Sequence, residues 1–408
     1  MVKRNLNLNI IPIEEALSRY FSALDGLLVP KFEVIPVQDC LDRITSSIVH
    51  ARLNSPHYNA AAMDGIAVKI SDTTGASESN PLILKEKTDF IFVNTGEPVN
   101  ALYDAVIMVE DLIYNTGEQS VTIKKCASYM QHIRAIGENI TAGEMVIPDK
   151  HRIRPIDIGM LLSAGITCIE VYTKPKIAIF PTGSEIIDAS VLKDGEIPED
   201  GKIIESNAWM YEALVKQAGG EGVRFPPIPD NYNLLKAAID KASQEYDIIL
   251  INAGSSAGTE DFTVQVLREI GEVIVHGAAM KPGKPVILAK VNGKPVIGTP
   301  GYPVSAYLSF VTFAVPVLSI LTGRTVKPVK KIEAVLSERI ISSVSQQEYI
   351  RVKLEYVNDR LTAFPLARNS SVAMSLVIAD GFCVIPIGCD KMEAGQTVMI
   401  ELIHDNNL

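Results

Sequence analysis

The chain has 408 residues, is 47% hydrophobic and 21% charged, and carries a formal net charge of −10 with a pI near 5.2. At about 100–200 residues per domain this is too long for one ordinary core and predicts two to four domains. The acidity excludes non-specific binding to nucleic acid or to an acidic membrane, so an anionic ligand needs cations placed locally around it.

Residues 11–24, "IPIEEALSRYFSAL", have helical apolar spacing with acids in the first turn and predict a helix. "CLDRITSSIV" (40–49) reads as a second helix. From about Pro56 to Pro148 the texture changes to short apolar runs broken by Gly, Asn and Pro. "PLILKEK", "DFIFVNTG", "DAVIMVEDLIY" and "SVTIKKCA" predict strands of a small β-rich module. "RPIDIGMLLSAG" (154–165) returns to helix, with Gly165 as C-cap.

Strand and helix then alternate. "KIAIFPTG" is followed by a helix from about Asn207, capped by Ser206 or Asn207 and closed before Gly219. "NLLKAAIDKAS", "DIILINAG", "DFTVQVLREIG" and "EVIVHGAAM" continue the alternation, which predicts a mostly parallel sheet with helices on both faces. A hairpin turns at Asn292-Gly293. A long apolar helix follows from Pro303, broken by Pro316 and ending near Gly323. Its length is that of a short membrane span, but its Ser, Thr and Pro content and its place after a sheet make it a core helix. From about Lys327 short strands predict a separate small β-barrel or sandwich.

The five cysteines (Cys40, Cys126, Cys168, Cys383, Cys389) form no CxxC pair, and the odd count suits a reducing cytosol. No Cys/His cluster has zinc-ligand spacing. No signal peptide or run of about 18 apolar residues occurs, so a cytoplasmic protein without a membrane span is expected.

Several segments carry chemistry. "NAGSSAGTED" (252–261) joins an apolar strand to a helix, where backbone amides face an anion. It is neither a Walker A loop nor GxGxxG. Either its amides hold an anion while Asp261 anchors a divalent metal, or it is an ordinary turn whose Asp261 favours the helix dipole. "AAMKPGKPVILA" brackets a Pro-Gly turn with Lys281 and Lys284. "GTPGYPVSA" fixes a tight backbone around Pro300, Gly301 and Pro303, with Ser305 near the helix start. "PTGSEII" brings Glu185 onto another loop after a strand, and "PIPDNYN" brings Asp230. Asp64-Gly65 in "NAAAMDGIAV" and Thr95-Gly96 in "VNTGEPV" stand at turns of the β-rich module. The six histidines form no motif.

Taken in order, "AAMDGIAV", "NTGEPV", "DAVIMVED", "IRAIGENITAGE", "RPIDIGMLLSAG", "PTGSEI", "AGSSAGTED", "MKPGKP" and "TPGYPVSA" resemble the molybdopterin molybdenumtransferases, the molybdenum insertases. The resemblance implies a multidomain fold, α/β and β. A linker domain in two segments (1–50 and 149–174) receives a β-rich inserted domain (51–148). A molybdopterin-binding α/β domain (175–326) and a C-terminal β-barrel (327–408) follow.

The implied activity is insertion of molybdate into adenylylated molybdopterin with release of AMP, assisted by Mg²⁺. By motif match, Asp261 and Glu185, with Asp230, organise the metal. Asp261, Glu185, Asp64, Lys281 and Lys284 form the catalytic set. Thr95, Gly254, Ser255, Ser256, Gly258, Pro300, Gly301, Pro303 and Ser305 bind the pterin substrate. The family completes each site across a homodimer, with Asp64 and Thr95 contributed from the β-rich and linker region, and the substrate is handed over by an adenylyltransferase.

The chain departs from the family pattern at Asn252, Ala253, Ser255 and Asn100, and at Tyr302, where the family has Asn. A non-catalytic molybdopterin-binding paralogue and an adenylyltransferase are therefore the alternative expectations.

Overall fold

A computed structural model describes residues 9–115, 117–253, 262–326 and 328–403. They fall into two compact units, residues 32–171 and residues 1–31 with 172–408.

In the unit 32–171, two three-stranded antiparallel sheets run in the orders Phe90–Val93, Gly65–Val68, Ala105–Met108 and Leu82–Lys85, Ser120–Ile123, Ile113–Tyr114. The helix Pro155–Ser163 starts on a proline, whose missing N–H lies where helices leave donors unpaired. Asp157 reaches back to the Arg154 N–H at 2.8 Å, and Gly165, at φ 78°, lies beyond the C-cap. The buried Asp157 also holds the Arg154 guanidinium (2.8 Å) and His151 Nε2 (2.7 Å). The Arg154 bonds, above all, keep its carboxyl well below the usual range.

The helix expected over residues 40–49 is not formed. Cys40 ends the 3₁₀ turn Val37–Asp39, Asp42 takes φ 63°, and Ile44 and Thr45 bridge to Arg152 and Val171. Val49–His50 pairs with Met145–Ile147. Ile44, Thr45, Ile48 and Val49 are β-branched, and Asp42, Ser46 and Ser47 compete for backbone groups, so partners elsewhere in the unit outweigh the apparent helical spacing.

The other unit is built on a six-stranded sheet: β1 (Lys176–Pro181), β2 (Glu221–Arg224), β3 (Ile248–Ala253), β4 (Glu272–His276), β5 (Ile287–Val291) and β6 (Lys294–Pro300). The spatial order is β2-β1-β3-β6-β5-β4; the first four strands are parallel, and β5 and β4 are antiparallel to their neighbours. Helices α1 (Ile13–Ala23), α2 (Asn207–Gln217), α3 (Tyr232–Glu245), α4 (Thr263–Ile270) and α5 (Pro303–Thr322) cover both faces.

Strand alternation decides which side chain meets which layer. Ile177, Ile179, Ile248 and Leu250 pack with α1, α2 and α5, whereas Ala178, Phe180, Ile249 and Ile251 pack with α3 and α4. Burial on both faces is what makes these strands continuous apolar runs. The β5–β6 hairpin turns at Asn292 (φ 49°) and Gly293 (φ 76°), the pair of left-handed conformations a tight two-residue turn demands.

α5 is not broken at Pro316. It continues through a π-helical stretch, Phe310–Ala314, which absorbs the crowding and the missing N–H of the proline, and stops at Gly323 in the left-handed region (φ 67°). The helix is long and apolar enough to cross a membrane, but it is mostly buried inside the fold, as a core helix requires.

The remaining strands, β7 (Lys331–Leu336), β8 (Gln347–Val357), β9 (Arg360–Pro365), β10 (Gly381–Ile385) and β11 (Thr397–Leu402), pair in the order β8-β9-β7-β11-β10. Pairing of β8 with β10 closes them into a five-stranded barrel around Leu336, Ile350, Val352, Ala363, Ile385 and Ile400. The expected barrel or sandwich is thus a barrel.

Candidate active site

The strand register gathers the chemistry. Pro181 lies beside Asn252, Asn252 beside Thr299, and Ala253 beside Pro300, so β1, β3 and β6 end at one edge. Because β5 runs antiparallel to β6, with Ile287 opposite Gly298, the loop entering β5 arrives at that edge too. Loops at the carboxyl ends of parallel strands are where α/β sheets bind ligands. Here the segments after β1 and β6 and the loop entering β5 border a cavity of about 1060 Å³.

Glu185, Lys281, Lys284, Pro300, Gly301, Pro303 and Ser305 all line it. Asp230 is not among the lining residues. Its carboxylate accepts from the Ser184 N–H (3.1 Å) and its own N–H donates to Ser184 Oγ (3.0 Å), so it holds the loop that carries Glu185. Asp64 and Thr95 belong to the unit 32–171, where Asp64 Oδ1 accepts from the Thr95 N–H (2.6 Å) and hydroxyl (2.9 Å). Those two bonds lower the Asp64 pKa. Gly254, Ser255, Ser256, Gly258 and Asp261 lie outside the described residues.

Three further features of the cavity lay outside the segments singled out from the sequence. The barrel supplies Arg368, Asn369, Ser370 and Ser371 to the wall. Their loop is braced by Arg351, which is 1% exposed and donates to Ser375 Oγ (3.1 Å), to the carbonyl of Asn369 (3.1 Å) and to that of Ala367. A polar run with an arginine after a strand, "LARNSS", was the available signal.

Second, Met280–Lys281 pairs as a short parallel strand with Gln347 and Glu348 of β8, and the Gln347 N–H donates to the Ala279 carbonyl (2.8 Å). This sets Lys281 Nζ 3.1 Å from Glu348 Oε1. The same oxygen accepts from Arg368 Nε (3.1 Å), and Ser342 Oγ donates to Oε2 (2.6 Å). Burial pushes the Glu348 pKa up, but the bonds from Arg368, Ser342 and Lys281 pull it down further and leave it below the usual range. Two cations are thereby held together at the cavity wall by one buried anion.

Third, α2 opens onto the cavity. Ser206 sits at its N-cap without a side-chain cap bond, and Glu205 Oε1 accepts from the Ala208 N–H (2.6 Å) instead. Burial raises the Glu205 pKa, against that bond. Asn207 Nδ2 then spans to the Gly301 carbonyl (2.7 Å) and Asn252 Oδ1 (3.4 Å), while the Asn252 carbonyl accepts from the Thr182 N–H (3.1 Å) and hydroxyl (3.0 Å). The Asn207 amide so ties the ends of β3 and β6, and the Asn252 carbonyl ties in β1.

Among the described residues no three His, Cys, Asp or Glu side chains cluster closely enough to hold a metal. The described carboxylates at the cavity are Glu185 and Glu205. Magnesium takes one or two protein carboxylates and completes its shell with water and phosphate oxygens, so Glu185 fits as one member of that donor set.

A cation-walled cavity at the strand ends of a parallel sheet, bordered by a closed β-barrel, defines a binding protein for an anionic small molecule. Three family models match in order: the MoeA N-terminal region (domain I and II) over residues 11–165, the "Probable molybdopterin binding domain" over 178–319, and the MoeA C-terminal region (domain IV) over 333–403. A Methanocaldococcus jannaschii protein named for molybdopterin biosynthesis is 33% identical over 97% of this chain and 98% of its own length. The molybdopterin molybdenumtransferase of Staphylococcus epidermidis is 27% identical over 91% of each chain. A crystal structure of the molybdopterin biosynthesis protein MoeA of Pyrococcus horikoshii superposes with a TM-score of 0.80 at 31% identity, covering 96% of this chain and 99% of that one. The chain belongs to the MoeA family.

Proposed function

We propose that this chain is a molybdopterin molybdenumtransferase that takes adenylylated molybdopterin, releases AMP and places molybdate on the dithiolene sulfurs. The observation that carries the reading is the convergence of Lys281, Lys284 and Arg368 on one cavity of an otherwise acidic protein. Both substrates are anions, and preorganised cations at such a site stabilise charge without reorganising. Glu185 and Asp261 would hold the magnesium, which supplies further neutralisation of the phosphates when bound. Glu348 keeps Lys281 and Arg368 oriented, and the Asn207 clamp keeps the ends of β3 and β6 in register.

The test is molybdate-dependent AMP release from adenylylated molybdopterin with Mg²⁺. Lys284→Ala should lower the rate roughly 100-fold, the scale of removing one charge-stabilising donor. Wild-type protein that binds the pterin without releasing AMP would leave only the non-catalytic alternative.

The same reading makes the active form a homodimer in which Asp64 and Thr95 of a second copy complete each site. Asp64→Ala and Lys284→Ala chains should then each be strongly impaired alone. Co-expressed, they should recover part of the activity, since one site of a mixed dimer is intact. Absence of rescue removes the shared site.

A further inference from the structure

We infer that Tyr302 is a stacking platform for a planar, fused nitrogen heterocycle of the ligand; the inference rests on the pterin-nucleotide reading above. Tyr302 is 61% exposed and lines the cavity. It stands at the N-cap of α5, where Asn, Ser or Asp would accept a hydrogen bond from a backbone N–H, and its side chain makes no cap bond. A phenol there does nothing for the helix.

The backbone beneath it is nonetheless held on every side. The Gly301 carbonyl accepts from Asn207 Nδ2 at 2.7 Å, the Tyr302 carbonyl accepts from the Ala306 N–H at 2.8 Å, and the Val304 N–H donates to the Ser370 carbonyl at 3.1 Å. Pro303 fixes the next φ. The ring is thus carried on a rigid mount with its surface uncovered, and no ring of the described residues stacks on it. The same cavity offers apolar wall at Ile203 and Ile204 and cations at Lys281 and Lys284. That combination suits a ligand with a flat ring and an anionic tail. A two-torsion aromatic on a fixed backbone loses little freedom on contact.

Pterin and adenine share this ring chemistry, so the experiment uses one probe for each. Pterin-6-carboxylate is titrated by fluorescence quenching and AMP by calorimetry, against wild type, Tyr302→Phe and Tyr302→Ala. Tyr302→Phe should bind as wild type does. Tyr302→Ala should weaken one probe about tenfold or more, the usual scale for losing a base–aromatic stack, and the probe affected identifies the ring. Equal binding of both probes by Tyr302→Ala and wild type overturns the inference, as does wild type that binds neither. Tenfold loss in Tyr302→Ala together with no AMP release from wild type leaves stacking standing and removes the transferase reading. Normal AMP release with an unaltered KM and unaltered probe binding in Tyr302→Ala removes stacking alone.

Discussion

Replacing Glu348 by Gln should lower stability by about 3 kcal/mol and abolish most of the activity. Glu348 is 2% exposed, and its carboxylate is the common acceptor for Lys281, Arg368 and Ser342. The amide keeps the shape but loses the charge, leaving two cations side by side without their anion. The expected figure sits at the low end for a broken buried pair because both cations reach solvent. Differential scanning calorimetry and the AMP-release assay check the two effects. An unchanged melting temperature with unchanged turnover would exclude this role for Glu348.

The acid limb of stability gives an independent reading. The folded pKa of Glu348 is depressed, so its contribution is full above the ordinary glutamate range, around 4.3, and fades as pH falls through the folded value. Glu348→Gln should therefore show a flatter loss of stability on acidification than wild type.

Gly65→Ala should be the most damaging change in the unit 32–171. Gly65 opens the central strand of a three-stranded sheet, between Val93 and Met108. A Cβ there would stand 1.9 Å from the Ile107 carbonyl oxygen, a backbone atom that yields only by parting the strands. The expected loss is about 3 kcal/mol, or roughly 10 °C in melting temperature. Gly159→Ala is the matched control. It lies mid-helix with nothing within 4 Å of the added methyl, so it should be neutral or gain up to about 1 kcal/mol. Equal melting of the two variants would show that the clash is relieved at no cost.

Much of this was readable from the residues alone, and what was readable was local. Ile177–Pro181 and 248–251 are apolar on every position because both faces are covered, Asn292-Gly293 is a pair its turn favours, and α2 and α3 carry their own boundaries. Glu185, Lys281 and Lys284 were visible as charges on loops after strands. The Glu348 cluster was invisible because it needs the pairing of Lys281 with β8, set by long-range register rather than spacing. Residues 40–49 misled for the same reason: Leu41, Ile44 and Ile48 imitate one helix face, yet Ile44 and Thr45 bridge to Arg152 and Val171, far along the chain. At Pro316 local sequence marked the stress but not its relief, which a π-helical stretch supplies. Glu205 illustrates a subtler limit, since the residue before Ser206 does the capping that Ser206 was better suited to do.

The backbone pairing of Met280–Lys281 with β8, and the bond from Val304 to Ser370, sew the α/β core to the barrel along the cavity wall. A seam of main-chain bonds is a poor hinge. Pulling the two modules apart would strand several amides at once, whereas a ligand crossing the rim at Tyr302 disturbs none. Guests should therefore exchange over that lip into a mould set in advance, and affinity is not diminished by a closing motion.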